Sequence, residues 1–328
     1  MFNLFYYKIT QLINYFTKSN ILVCNFLGLY ILDKLAMGPE GADAVKKAAR
    51  GFCRLSVSLQ ELNCRNNQLT VLPALSDSLQ VLNCRNIHLT VLHILSGSLQ
   101  VLNYRNNHLT VLPDLPDSLQ VLNCINNQLT VLPELPNSLL ILICSNNKLT
   151  VLHSLPASLQ YLNCYSNQLT VLPELPNSLL ILICSNNQLT VLHSLPASLQ
   201  ELYCWRNQLT VLPELPDSLL ELVCSFNRLT VLPELPDSLL KIYCNHNQLT
   251  VLPELPASLQ ELYCYNNQLT VLPDLTQCKN LKYLQVSGNN FSDEMNEILN
   301  NNRLSIQEKI KRLDDNNLFM YNNNFILK

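Results

Sequence analysis

The chain has 328 residues, a formal net charge of −3 and 48% apolar residues, with 13 Cys and 17 Pro against only 6 Gly. The near-neutral charge removes any general electrostatic argument for nucleic acid or an anionic lipid surface, and the apolar content excludes wholesale disorder. A length that ordinarily suggests two domains is overridden by internal self-similarity, because repeat arrays grow one unit at a time around a shared core.

Residues 1–37 form a leader rich in Phe, Tyr, Ile and Asn. Its segment Ile21–Leu32, "ILVCNFLGLYIL", is apolar except for Asn25, with Lys18 before it and Asp33 after it. That run is too short for a comfortable membrane span. It has the length of a secretory hydrophobic region, but Lys34 spoils the small-x-small pattern before Ala36. The reading adopted is a packed or disordered leader, with membrane association of residues 1–37 as the alternative. Met37 is a second candidate start. A small-residue stretch, "GPEGADAVKKAARGF", comes next.

From about Ser58 to Phe291 the chain repeats itself. Leu59, Leu79, Leu99 and every twentieth residue up to Leu259 open a unit, and a twelfth unit begins at Leu281 after a step of 22. The shared pattern is L-x-x-L-x-C-x-x-N-x-L-T-V-L-P-x-L-P-x-S, the leucine-rich-repeat signature at the short end of its range. Alternation at Leu222, Cys224 and their equivalents has the period of a strand with those side chains on one face. The "LPELP" run cannot be helical, since proline lacks the N–H and restrains its predecessor, and it runs extended. A single coil cannot bury its leucines, whereas stacked coils do.

Three polar columns accompany the leucines. Asn at the ninth position (Asn67, then Asn107 through Asn267, then Asn289) suits a buried turn whose backbone groups need partners. Thr70–Thr270 and Ser58–Ser258 are expected to do similar work. Ile87 interrupts the Asn column, so that coil is expected to be locally loose. Ten cysteines (Cys64, Cys84, Cys124, Cys144, Cys164, Cys184, Cys204, Cys224, Cys244 and Cys264) fill the sixth position, with Tyr104 as the exception. Their period places them inside as small hydrophobes. In-register parallel strands hold Cβ atoms about 5 Å apart, wider than a disulfide prefers. A straight column also offers no tetrahedral metal set. So many thiols point to a reducing compartment. His93, His153 and His193 replace a proline in non-adjacent coils and read as drift. His88 and His108, near Arg85 and Arg105, could join a basic patch.

The last unit, "LTQCKNLKYLQVSGNNFSD", departs from the "LPxLPxS" form. It reads as the start of a C-terminal cap over residues 293–328, with helices around Glu294–Leu299 and Ile306–Leu313.

The "NQLTVLPELP" run (Asn207–Pro216) with the following "SL" resembles the short bacterial leucine-rich repeats of secreted effectors, the YopM-like scaffolds and the repeat half of the IpaH-type ubiquitin ligases. The resemblance covers the array, residues 58–292. It implies a leucine-rich-repeat horseshoe, a repeat solenoid with a parallel β-sheet on the concave face, an extended or polyproline II convex side and short α-helical caps at both ends. The N-terminal cap would occupy residues 38–57, with Pro39 near a helix start and Gly51 at its end. The ligase members carry a catalytic domain with a C-x-D nucleophile. Here Lys279 and Asn280 follow Cys278, no C-x-D occurs, and the remaining chain is too short for that domain.

By the same resemblance, the third, fifth, seventh and eighth positions face the concave side. Arg65, Arg85 and Arg105 line up in the early coils. Ile125, Ile141, Ile143, Ile181 and Ile183 follow. The late coils carry Tyr203, Trp205, Val223, Phe226, Tyr243, Tyr263 and Tyr265 beside Glu201, Glu221 and Glu261. Aromatic residues beside charge are favoured at protein interfaces. The expectation is a non-enzymatic protein–protein interaction scaffold with no cofactor or metal, in the bacterial cytoplasm or secreted as an effector into a host cell. The alternatives are an envelope- or membrane-anchored adhesion protein and a degenerate ligase. Nucleic acid is disfavoured as a partner because the arginines and the aromatics lie at opposite ends of the array.

Overall fold

The computed structural model of the protein describes residues 21–23, 59–66, 72, 75–90 and 95–320. The chain forms two compact units, Met1–Leu159 and Gln160–Lys328, and each is a stack of the coils that the 20-residue period requires. The fold is a leucine-rich-repeat solenoid built on parallel strands.

In the first unit, six strands lie side by side in chain order: β1 (Ile21–Val23), β2 (Glu61–Asn63), β3 (Val81–Asn83), β4 (Val101–Asn103), β5 (Val121–Asn123) and β6 (Ile141–Ile143). All are parallel, and from β2 onward the register advances by one repeat, with Leu62 opposite Leu82 and Leu82 opposite Leu102. β1 pairs with β2, Leu22 opposite Leu62, so part of the apolar leader serves as an edge strand. The rest of the leader and the segment expected to form the N-terminal cap lie outside the described residues.

The second unit continues the pattern with β7 (Tyr161–Asn163), β8 (Ile181–Ile183), β9 (Glu201–Tyr203), β10 (Glu221–Val223), β11 (Lys241–Tyr243) and β12 (Glu261–Tyr263). Leu202, Leu222, Ile242 and Leu262 sit opposite one another in turn. On the other side of the last coils, β13 (Leu272–Pro273) pairs with β15 (Phe319–Met320). The longer twelfth coil adds β14 (Tyr283–Gln285) to β12. Two helices follow, α1 (Asp293–Leu299) and α2 (Ile306–Asp315), where the sequence places them. Ser292 caps α1, and Ser305 with Glu308 forms a reciprocal capping box on α2, satisfying amides that a helix start would leave open. Met295, Ile298, Leu299, Ile310 and Leu313 are their buried side.

From Leu79 to Leu269 the leucines at the first, fourth and eleventh positions are fully buried, as Leu199, Leu202 and Leu209 illustrate. Each contributes about 1.5–3 kcal/mol of burial relative to exposure. All ten ladder thiols are buried, and none of them is in a disulfide. Burial pushes Cys124, Cys164, Cys204 and Cys244 up to about 12. Cys64 and Cys84 depart from the pattern, their sulfurs lying 3.4 Å apart, and that contact holds the Cys64 thiol below its ordinary value.

The asparagine column closes each turn. Asn207 Nδ2 donates to the carbonyls of Cys184 and Cys204, both at 3.1 Å, and its Oδ1 accepts the Leu189 amide at 3.0 Å. The serine column works as expected, with Ser218 Oγ donating to the Leu199 carbonyl one coil back at 2.7 Å. The threonine column does not. From Thr90 to Thr270 it faces solvent, as do the neighbouring valines, among them Val111, Val171 and Val231. The coil bends outward there, between the buried eleventh and fourteenth leucines. At the Ile87 interruption, Ile87 is fully buried and the backbone takes an additional left-handed residue at His88 (φ 60°). The break changes the path of that coil.

Candidate protein-binding surface

The eighth position carries the local geometry of the surface. Every described coil passes through left-handed backbone there, from Asn66 (φ 57°) to Asn266 (φ 54°), ending at Gly288 (φ 67°). Asn tolerates that conformation because its short amide bonds locally, and Gly tolerates it because it has no Cβ. A Cβ on Gly288 would meet the Asn266 Oδ1 at 2.1 Å. Arg206 (φ 53°), Phe226 (φ 55°) and His246 (φ 54°) occupy the same slot in three successive coils without the Asn advantage. Strained positions of this kind cluster at functional sites.

Those three side chains join the seventh-position aromatics in a continuous row within the second unit. Tyr165 and Trp205 tilt together at 5.8 Å between ring centroids. The Arg206 guanidinium lies 5.2 Å from the Trp205 ring and 5.4 Å from the Phe226 ring. Phe226 stacks on His246 at 4.1 Å, and His246 meets the edge of Tyr265 at 5.3 Å. Phe226 is 39% exposed, an uncommon exposure for a phenylalanine ring.

Beside this row runs the fifth position. Tyr243 and Tyr263 stack at 4.6 Å, and both are half-buried. Tyr203 does not project as the sequence reading expects. It is 7% exposed, its hydroxyl donating to Glu201 Oε2 at 3.0 Å. Burial, then the Glu221 and Glu201 carboxylates, raises its phenol far above the ordinary range. Tyr243 donates to Glu261 Oε2 and is raised chiefly by burial and then by that bond.

The third position supplies the charge. Glu201, Glu221, Lys241 and Glu261 follow one another across β9 to β12 in register. Lys241 Nζ lies 3.7 Å from Glu221 and 3.5 Å from Glu261. Glu201 stands at the far end of the row, its carboxyl raised first by burial and further by neighbouring Glu221, with the Tyr203 hydrogen bond acting the other way.

The expected arginine line belongs to the first unit. Arg65 and Arg85 are exposed and Arg105 is half-buried, and their backbone amides donate to Asn63, Asn83 and Asn103 Oδ1 at 3.3, 3.3 and 3.1 Å. Alongside, Asn66, Asn86, Asn106 and Asn126 form an amide ladder at 2.7, 2.7 and 2.9 Å. His88 and His108 stack at 5.5 Å. Of the middle isoleucines, Ile141 and Ile181 are buried. The sequence reading missed Arg206 and His246 as partners of the aromatic row; the signal was their replacement of Asn at a position where Asn recurs. Among the described residues no three His, Cys, Asp or Glu side chains gather where they could hold a metal ion, and no helix is long and apolar enough to cross a membrane.

The leucine-rich-repeat family described as two repeat copies matches residues 257–301. No curated protein matches the chain. Among solved structures, the leucine-rich effector protein YopM from Yersinia pestis is 33% identical, covering 72% of this chain and 80% of that one with a TM-score of 0.55. YopM from Yersinia enterocolitica is 33% identical, covering 72% of this chain and 66% of that one with a TM-score of 0.47. The functional domain of InlJ from Listeria monocytogenes, which includes a cysteine ladder, is 28% identical over 71% of this chain and 54% of that one, with a TM-score of 0.49.

Proposed function

The chain belongs to the bacterial leucine-rich-repeat family, and on that premise we propose that it is a non-enzymatic scaffold that binds a protein partner on the strand face of its late coils. The observation that carries this reading is the row from Trp205 to Tyr265, in which Arg206, Phe226 and His246 hold left-handed backbone while Phe226 stays exposed. An aromatic row of this kind has the composition of an interaction hot spot. The description of the Yersinia pestis relative as an effector supports a secreted protein acting in a host cell. The buried thiols, none of them in a disulfide, suit a reducing compartment there. A ligase role finds no support at Cys278, which is fully buried, with its thiol pushed up to about 11 by burial and then by Asp274. The pairing of Ile21–Val23 with β2 supports an edge-strand role for that segment over bilayer insertion.

The test is affinity capture from host lysate with wild type and a Trp205→Ala/Tyr243→Ala variant. A partner retained by wild type and lost at least tenfold by the variant is the expected result. Equal recovery by both removes this surface as the binding site.

A further inference from the structure

The strand face of the first unit carries two neighbouring rows of unmatched hydrogen-bond donors. Arg85 and Arg105 form one row, at the seventh position of adjacent coils that are joined by the Asn86 amide donating to the Arg105 carbonyl at 3.1 Å. Neither guanidinium has an ion pair or hydrogen bond among the described residues. Parallel strands hold the two positions about 4.8 Å apart, so like charges stand side by side, which is destabilising. Arg105 is half-buried, and its Nε is shut off from solvent without an acceptor. A partly desolvated cation with no counterion is unfavourable in the free protein and is relieved by an anion that lands on it. No carboxylate answers from the third position, which is Val81, Val101 and Val121 in these coils. Glu61, one strand before Val81, is buried, and burial raises its carboxyl, favouring the neutral form.

The second row is made of neutral amides at the fifth position. Asn83, Asn103 and Asn123 Oδ1 accept the backbone amides of Arg85, Arg105 and Ile125 at 3.3, 3.1 and 3.2 Å. A backbone N–H can only donate, so the side-chain oxygen is fixed on it and Nδ2 is the group left over. Those three Nδ2 groups have no acceptor among the described residues. The eighth-position amides, by contrast, are spent on one another.

We propose that this face holds an extended acidic segment of a protein partner, its carboxylates on Arg85 and Arg105 and its backbone carbonyls on the Nδ2 groups of Asn83, Asn103 and Asn123. A peptide supplies both kinds of acceptor. Its carboxylates match the planar fork of a guanidinium, and its neutral carbonyls match the neutral amide row. A nucleic acid strand finds no stacking platform here. Tyr104, the single Phe, Tyr or Trp residue between Leu79 and Ser138, is fully buried. The inference lies in the first unit and goes beyond the aromatic-row reading, which its test leaves untouched.

Full-length protein is titrated into the rhodamine-labelled peptide GEGEGEGEG-amide and followed by anisotropy, at a low ionic strength of about 50 mM where exposed charges are weakly screened. Glutamine and lysine counterparts carry the same label. The glutamate peptide is expected to bind saturably, the glutamine peptide at least tenfold more weakly, and the lysine peptide not at all. Arg85→Gln/Arg105→Gln should weaken the glutamate peptide at least tenfold. Asn103→Asp should weaken it comparably, because it keeps an acceptor for the Arg105 amide while replacing the free donor with a carboxylate. Arg228→Gln, an exposed site in the second unit, should leave the affinity unchanged. Urea melts of each variant confirm that the fold is kept. Equal binding of glutamate and glutamine peptides, unchanged affinity in both site variants, or an equal loss in Arg228→Gln overturns the inference. So does tighter binding of single-stranded oligothymidylate than of the glutamate peptide, or no response to any probe. The scaffold reading falls only if the Trp205→Ala/Tyr243→Ala capture above is unaffected.

Discussion

At the scale of single residues, the eighth position separates what a repeat needs from what a surface uses. The turn requires φ near 55°, and Asn66, Asn86, Asn106, Asn126, Asn146, Asn186 and Asn266 supply it. Phe226 meets the same requirement with a Cβ and a large ring. Its conformational cost can be isolated by comparing two truncations that both lose the ring and its His246 stack. Phe226→Asn should be more stable than Phe226→Ala by about 1 kcal/mol, because Ala keeps the Cβ penalty of the left-handed region and Asn offsets it locally. Urea unfolding of the two variants measures the difference, and equal stabilities would mean that the slot imposes no such cost. The repeat pattern leaves the eighth position variable and assigns Asn only to the ninth. Neither the eighth-position preference nor its backbone reason was read from it, because a recurring Asn is equally compatible with an exposed turn of ordinary geometry.

At the scale of the coil, the polar columns divide by where the backbone needs partners. Asn207 serves two carbonyls and one amide in the interior. Asn207→Leu leaves those three groups without partners and is expected to cost about 3 kcal/mol or more, at about 1–3 kcal/mol for each buried unsatisfied group. Thr210, four residues from the strand-side turn in the repeat alignment but exposed, should accept Val within about 0.5 kcal/mol. Thermal or urea melts of the pair decide between the columns, and comparable losses would show that the threonines also bind backbone. The strands, the leucine interior, the Asn and Ser bonds and both C-terminal helices were legible because period and capping residues specify them locally. The Thr column was misread because a 20-residue period says that Thr, Val and Leu recur together without saying which of them turns inward. Tyr203 was misread for a related reason: its face follows from alternation, but its burial depends on neighbours that lean over it, which no spacing encodes.

At the scale of the molecule, the cysteine column makes stability depend on pH in a collective way. A thiol buried without a cation is held neutral, since a thiolate would lose its hydration. Cys124, Cys164, Cys204 and Cys244 are raised to about 12 from an ordinary value of 9. A folded value above the unfolded one stabilises the native state fully below pH 9 and loses that contribution as pH rises towards 12, because the unfolded chain releases its thiol protons first. At pH 10 each such thiol forfeits on the order of 1 kcal/mol by linkage. Four such losses are a sizeable part of the stability of an ordinary domain, about 5–15 kcal/mol. Unfolding free energy should therefore be flat from pH 7 to 8 and fall steeply between pH 9 and 11. Tyrosines and lysines titrate in the same window, so the thiol share is read from a Cys164→Val/Cys204→Val variant, which should be less sensitive between about pH 7.5 and 10 by two such losses. The same column, labelled with a bulky maleimide at neutral pH, should react only after denaturant is added. An alkaline profile that the double substitution leaves unchanged, together with rapid labelling of the native protein, would place the thiols on the wet side of the sheet and the aromatic row on the dry one.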